Sequence, residues 1–262
     1  MSAYELANSF LQRIYDRAEE YTDRPYVTLT FAQSLDGKIA ADDRRQLMLS
    51  GDESLIMTHR LRTLHDGILV GIGTALIDDP QLNDTALQMV NVVTARRLDP
   101  SILDDCNQPY PVVLDPRLEL PVYCKLLKNY QQGVGKQPWV ITSIESTRIH
   151  KASYDALQLA GARIFTTAER HVDVKRLAGR IALEDVYQIL RRNGIRRLMV
   201  EGGAKVIRSV IESHWDQLII TIAPILVGNG LTAIDGRKMP TLCDVKYQQL
   251  GKDIVLAAKP SK

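Results

Sequence analysis

Three short stretches of this sequence set glycines, carboxylates and amines close enough together to hold a polar, charged ligand. The first is GIGTALIDDPQLN, Gly71 to Asn83, which follows the apolar run GILVG. A strand running into glycine leaves backbone N–H groups free to meet an anion. The same stretch ends in Asp78 and Asp79, which repel phosphate but accept hydrogen bonds from a sugar diol. Asp78-Asp79-Pro80 reads equally as a helix N-cap or a turn. The second stretch, LMVEGGAKVIRSVIESHW, has the same plan. A strand reaches Glu201, Gly202 and Gly203, and a helix follows with Val206, Ile207, Val210 and Ile211 on its apolar side. Lys205 in the first turn opposes the helix dipole, which argues for a negative ligand nearby. The plain alternative is a tight turn that needs glycine only for its geometry. The third stretch is SLDGKIA, where Ser34, Asp36 and Lys38 put a hydroxyl, a carboxylate and an amine at a strand end. Strand ends on one edge of an α/β sheet are where such folds bind ligands, although a solvated turn fits these residues too. Arg60 and Arg62, on the segment before GILVG, are either anion contacts or ordinary surface charges.

Two glycine half-motifs on different strands imply one extended ligand held between them, with its phosphates near the glycines. Neither is a complete fingerprint. Leu76 stands where the dinucleotide motif needs its third glycine, and no Gly-Lys-Ser/Thr follows to make a P-loop. No Gly-x-Ser-x-Gly elbow, His-x-x-x-His pair or zinc-deaminase pattern is present. Cys106, Cys124 and Cys243 match no zinc spacing.

These motifs need a frame. Leu6, Phe10, Leu11 and Ile14 repeat at helical spacing, predicting an N-terminal helix over about residues 3–20. Strands are predicted at Tyr26–Ser34, GILVG, Pro111–Asp115, Pro138–Thr142, Ala162–Thr167 and Arg197–Gly203. A helix over Ser50–Asp66 carries a capping-box signature, Ser50 with Glu53. Further helices fit Tyr154–Ala160 and Leu183–Asn193, the latter closed by Gly194. DQLIITIAPILVG reads as a long strand broken at Pro224, and the last strands come without helices, so an antiparallel edge is expected. Asn83–Gln108 and Lys128–Gln137 read as surface loops. Alternating strands and helices predict an α/β fold with a mixed, mostly parallel sheet, and residues 1–262 read as a single domain.

Thirty-three basic against 31 acidic residues leave a charge of +2, which gives no footprint for nucleic acid or an anionic membrane. No apolar run approaches the roughly 20 residues of a membrane span. The N-terminal segment lacks the apolar core of a signal peptide, and unpaired cysteines suit a reducing compartment, so a cytoplasmic protein is expected.

Taken in order, FAQSLDGKIA, SGDES…HRLRTLHDGILVGIGTALIDDPQLN and VEGGAKVI…WDQLIITIAPILVGNG resemble the reductase family of riboflavin biosynthesis, most of all its fungal branch. The resemblance runs from about Pro25 to about Gly230. It implies a dihydrofolate-reductase-like three-layer α/β/α domain, acting as a homodimer. It implies NADPH as hydride donor, and reduction of the ribosyl group of 2,5-diamino-6-ribosylamino-4(3H)-pyrimidinone 5′-phosphate to a ribityl chain. It assigns Thr74, Asp78, Gly202, Gly203, Ala204, Lys205 and Val206 to the cofactor, with Thr142 as a further candidate. It puts Ser34, Lys38, Arg62, Leu82 and Glu201 on the substrate side, and Glu201 and Asp36 as candidate catalytic groups. No metal is implied. Arg148 and Arg163 are candidate readers of the NADPH 2′-phosphate. Bacterial members tend to carry an arginine just after DDPxL that binds the substrate phosphate. Here the run is DDPQLNDTA, so Lys38 and Arg62 are expected to share that task. Two rival readings share the fold: a dihydrofolate reductase, and a protein that binds NADPH without catalysis.

Overall fold

Along the central strands, neighbouring residues are apolar in both directions, so each strand buries both faces. Ile68 and Val70 point into one core with Val113, Val140 and Met199; Leu69, Val112, Leu114, Ile141 and Val200 point into another. A sheet with two apolar faces needs a helical layer on each. The computed structural model shows that arrangement, and describes residues 2–16, 20–42, 47–82, 108–167, 181–234 and 240–261.

In chain order the elements are α1 (Ala3–Tyr15), β1 (Tyr26–Ser34), β2 (Lys38–Ala41), α2 (Asp52–Thr63), β3 (Gly67–Gly71) and α3 (Ile72–Asp78). Next come β4 (Tyr110–Leu114), α4 (Lys125–Gln131), β5 (Trp139–Ser143), α5 (Ile144–Ile149), α6 (Lys151–Leu159) and β6 (Arg163–Thr167). The chain continues with α7 (Leu183–Arg192), β7 (Arg197–Val200), α8 (Ala204–Ile211), β8 (Gln217–Ala223), β9 (Gly230–Thr232), β10 (Leu242–Leu250) and β11 (Asp253–Pro260). One nine-stranded sheet has the order β10-β11-β8-β1-β7-β3-β4-β5-β6. The strands from β8 to β6 run parallel, while β11 is antiparallel to β8 and β10 to β11. The expected mixed, mostly parallel sheet with an antiparallel edge is therefore present. Helices α1, α2 and α4 pack on one face and α7 and α8 on the other. β2 and β9 pair separately as a small antiparallel ribbon.

Order in the sheet differs from order in the chain at one place that matters. β7 returns to insert between β1 and β3, and β8 then lies on the far side of β1. The carboxyl ends of β1, β7 and β3 are thus neighbours at a topological switch point, the place where open α/β sheets bind ligands. β1 is also longer than its neighbour. Leu29 is level with Val200 near the end of β7, while β1 and β8 stay paired as far as Ser34 and Ala223. At about 3.3 Å per residue, Ser34 stands roughly 13 Å beyond the level of Glu201.

Four expectations need correction. The N-terminal helix ends at Tyr15, and the chain is coil again by Glu20. Ser50 does not cap α2: Gly51 is the N-cap and makes no side-chain cap bond. The β10–β11 turn has taken over that helix end, because Gly51 N–H donates to Asp253 at 2.7 Å and the Glu53 carboxylate lies against Gly251. Lys128–Gln131 is helical rather than loop, anchored by buried Leu126 and Leu127, and the helix stops before Gly133 at φ +71°. The Tyr154–Ala160 helix begins earlier, at Lys151. The loop expected at Asn83–Gln108 lies, except for its last residue, outside the described residues.

Candidate active site

The two glycine motifs lie side by side and lock together. Glu201 N–H donates to the Leu69 carbonyl at 3.0 Å, so the end of β7 is held against β3. Gly71 is the N-cap of α3 and Gly203 the N-cap of α8, and neither helix has a side-chain cap. A Cβ on Gly71 would stand 2.7 Å from Cγ2 of Val206, the third residue of α8. A Cβ on Gly203 would stand 2.9 Å from Oγ1 of Thr74, the third residue of α3. The contact is reciprocal. Gly202 and Gly203 also hold φ of +127° and +85°, a region that disfavours any side chain. The uncapped first turn of α8 carries only the exposed Lys205 as a charge, so its free N–H groups and its cation both suit an anion. α3 runs from Ile72 to Asp78, so the acids sit at a helix C-terminus, not an N-terminus. Asp79 takes φ +40° and accepts the Lys125 N–H at 2.9 Å, serving as a cap for α4. Asp78 forms no hydrogen bond or ion pair among the described residues, and burial pushes its carboxyl above the usual range.

Between these turns lies a two-point ion pair. Arg62, in the last turn of α2, grips Glu201 with both arms: Nε to Oε1 at 2.5 Å and Nη2 to Oε2 at 2.6 Å. Their side chains are 17% and 12% exposed, so the pair is largely out of water. A two-point guanidinium–carboxylate grip fixes direction as well as charge. Arg62 is therefore committed to Glu201 and not held ready for a phosphate. Arg60 donates to Asn8 and Thr63, tying α1 to α2, so it too drops out as an anion contact.

The rim of the site is the turn after β1. Ser34 is buried and accepts the Lys38 N–H at 2.8 Å, while its hydroxyl donates to Asp36 at 2.6 Å. Asp36 also accepts the Val227 and Gly228 N–H groups at 3.1 and 2.7 Å. Those donors, the Ser34 hydroxyl first, lower the Asp36 carboxyl to about 2. A group held ionised in this way has no proton to give, so Asp36 does not fit the role of proton donor. Lys38, on β2, makes no ion pair among the described residues. Leu82 is in a left-handed backbone conformation, φ +46°, and the residue as a whole is 2% exposed, packed in the core.

Further along the same edge, Thr142 is the next-to-last residue of β5, its hydroxyl buried and, among the described residues, without a hydrogen-bond partner. Ser146, in the first turn of α5, is in the same state. Sequence reasoning passed over Ser146, although Ser143 three residues earlier is the N-cap of α5 and accepts its N–H at 3.1 Å. Arg148 lies on α5, after the carboxyl end of β5. Arg163 begins β6, at the opposite edge of the sheet, stacked on Trp139 and Phe165, and cannot read a ligand at this one. A cavity of about 620 Å³ lined by Arg117, Glu119, His150 and Ser153 opens beside α6, away from the glycine turns. No group of acids, cysteines and histidines among the described residues is placed to hold a metal.

Residues 25–256 match the RibD C-terminal domain family. The chain is 34% identical over 250 residues to a 2,5-diamino-6-ribosylamino-4(3H)-pyrimidinone 5′-phosphate reductase of Debaryomyces hansenii, covering 92% of this chain and 94% of that protein. A protein of the same name from Archaeoglobus fulgidus is 33% identical over 231 residues, 84% of this chain and 87% of its own. Among solved structures, a Saccharomyces cerevisiae riboflavin biosynthesis reductase superposes with a TM-score of 0.71 at 27% identity, covering 97% of this chain and 98% of that one.

Proposed function

Because this chain belongs to the RibD C-terminal domain family of riboflavin-pathway reductases, we propose that it reduces the ribosyl group of 2,5-diamino-6-ribosylamino-4(3H)-pyrimidinone 5′-phosphate to the ribityl form, with NADPH as the reductant. It is an oxidoreductase, and its site suits a nicotinamide dinucleotide. The observation that carries the reading is the Arg62–Glu201 grip set between two interlocked glycine turns. The fit to a dinucleotide rests on the uncapped first turn of α8 and on Asp78 and the buried hydroxyl of Thr142, neither of which has a hydrogen-bond partner among the described residues. Thr74, Asp78, Thr142 and Gly202 to Val206 would hold it. Bound there, it supplies a hydride; the protein supplies position and charge.

Reducing an imine at C1′ needs that hydride on carbon and one proton on nitrogen, and a cationic imine is the better acceptor. Glu201 is the carboxylate we assign to face that cation, and Arg62 keeps it pointed there. A positioned group of this kind is worth roughly 10²–10⁴ in rate. Ser34 and Lys38 on the rim stand roughly 13 Å beyond the level of Glu201, a separation that suits a long substrate with its phosphate toward Lys38. A single cytoplasmic reductase domain, working as a homodimer, completes the proposal. Val245, Tyr247 and Ile254 on the exposed β10–β11 edge offer apolar surface that a second copy can cover. Among the described residues no helix is long and apolar enough to cross a membrane.

The test is NADPH oxidation by the purified protein with and without the ribosylaminopyrimidinone phosphate, with the ribityl product identified. Substrate-dependent oxidation is expected, and Glu201→Gln should cut turnover far more than NADPH binding. Oxidation with dihydrofolate instead, or none with NADPH bound, would end the proposal.

A further inference from the structure

Asp36 is exposed, yet both of its oxygens are engaged by its own chain. Oδ1 accepts the Ser34 hydroxyl and the Val227 N–H, and Oδ2 accepts the Gly228 N–H. Beside it, Leu35 N–H donates to the Ile225 carbonyl at 2.8 Å. These bonds stitch the turn after β1 to the loop after β8. Each side of that stitch leads straight into one strand of the small ribbon. From the turn the chain enters β2, and from Val227 and Gly228 it enters β9. Inside the ribbon Lys38 pairs with Thr232 and Ala41 with Gly230. The strands approach so closely at Gly230 that a Cβ there would stand 2.6 Å from the Ala40 carbonyl oxygen. At this height β7 has already ended, so among the described strands β8 is the one still paired with β1 in the sheet.

We propose that Asp36 is a positioning residue: its carboxylate clamps the root of the β2–β9 ribbon and so sets where Ser34 and Lys38 meet the substrate. This rests on the reaction proposed above and refines it. In this role Asp36 acts through the ribbon and not by contact with the reacting carbon or the cofactor. Its negative charge is used to gather two backbone N–H groups and one hydroxyl, as carboxylates do at helix N-caps. An amide in its place keeps the size and loses the charge, and one of its two ends would then present a donor to a donor.

The experiment compares wild type with Asp36→Asn. First, amide hydrogen exchange at Val227 and Gly228 is followed in the protein without substrate. Losing hydrogen bonds to a charged acceptor should speed it about tenfold or more. Second, KM for the ribosylaminopyrimidinone phosphate should rise about tenfold, with a smaller fall in kcat, NADPH affinity unchanged and the pH profile of kcat keeping its shape. Val227→Pro removes one donor from the other side of the clamp. It should raise KM in the same sense, and the double variant should lose less than the product of the two. A collapse of kcat with an ionisation gone from its pH profile, and exchange unchanged, would overturn the proposal and make Asp36 a catalytic acid. Unchanged exchange with unchanged KM would overturn it equally. If the wild type turns over no substrate, the reaction is wrong, and the exchange measurement alone still decides whether the clamp exists.

Discussion

Replacing Arg62 by methionine removes both hydrogen bonds that the guanidinium gives to Glu201 while leaving a side chain of similar length. The Glu201 carboxylate, 12% exposed in the intact pair, then faces a thioether. At an effective dielectric near 20, charges about 4 Å apart attract by about 4 kcal/mol. The grip here is shorter and two-pronged, but Arg62 must also be stripped of water. Breaking a pair of this kind by removing one partner costs about 3–5 kcal/mol when burial is complete; with 12–17% exposure we expect about 3 kcal/mol. Urea unfolding followed by circular dichroism reads this directly. With a slope of about 3 kcal/mol per molar urea, the midpoint should fall by about 1 M. Glu201→Met alone should lose a similar amount, because it strands the guanidinium. The double variant Arg62→Met with Glu201→Met should be no worse than either, giving a coupling of about 3 kcal/mol. Arg62→Lys keeps the charge without the fork and should recover only part of the loss. Additive losses in the double variant, or a midpoint unmoved by Arg62→Met, would refute the reasoning.

Other expectations follow from the same coordinates. His65 is buried, with Nδ1 2.8 Å from the Leu61 carbonyl and Nε2 2.9 Å from Thr28 Oγ1, which also meets the Tyr15 hydroxyl at 2.8 Å. The carbonyl can only accept, so Nδ1 carries the proton and the neutral ring is satisfied at both ends. Burial, the largest cause, lowers the His65 pKa to about 4. Between pH 4 and 6.5 the unfolded chain therefore binds a proton that the native one does not. Stability should rise with pH across that window and lose roughly 3 kcal/mol on the way down. In His65→Phe that part of the pH dependence, measured by urea unfolding, should vanish. Gly203→Ala, at φ +85° and against Thr74 Oγ1, should cost about 1–3 kcal/mol in melting experiments and weaken NADPH binding. Gly73→Ala has open space for its Cβ and should leave stability intact, so equal damage from the two changes would count against the reciprocal lock. Thr142→Val removes a buried hydroxyl that has no partner among the described residues, so the protein without ligand should gain about 1 kcal/mol while NADPH affinity, by calorimetric titration, falls. Unchanged affinity would take Thr142 out of the cofactor site.

Most of the sheet was legible because the central strands are short apolar runs that stop at glycine, proline or a polar residue. β1, predicted at Tyr26–Ser34, is found there, and β8 ends at Ala223, directly before Pro224. The ribbon of β2 and β9 was not legible, since KIAA and GLT carry no pattern and exist only through each other. β10 was missed for a related reason: LCDVKYQQL exposes nearly every residue and is held by pairing with β11 rather than by a buried face. At the site, the glycines, Glu201 and Arg62 announced themselves by type. What hid was commitment. Nothing in the string shows that Arg62 is spent on Glu201, Asp79 on α4 or Asp36 on the backbone after β8, because each partner is more than 40 residues away.

The reciprocal contact of Gly71 with Val206 and of Gly203 with Thr74 bears on how this edge can change over generations. Each turn carries the bare position that the other turn's third helical residue fills. A side chain gained at Gly71 needs a simultaneous loss at Val206, and one gained at Gly203 needs a loss at Thr74. The two segments therefore form one unit of inheritance although 128 positions of chain lie between Thr74 and Gly203. Grafting either turn alone from a relative with different residues at these four places brings a collision; grafting both together brings none.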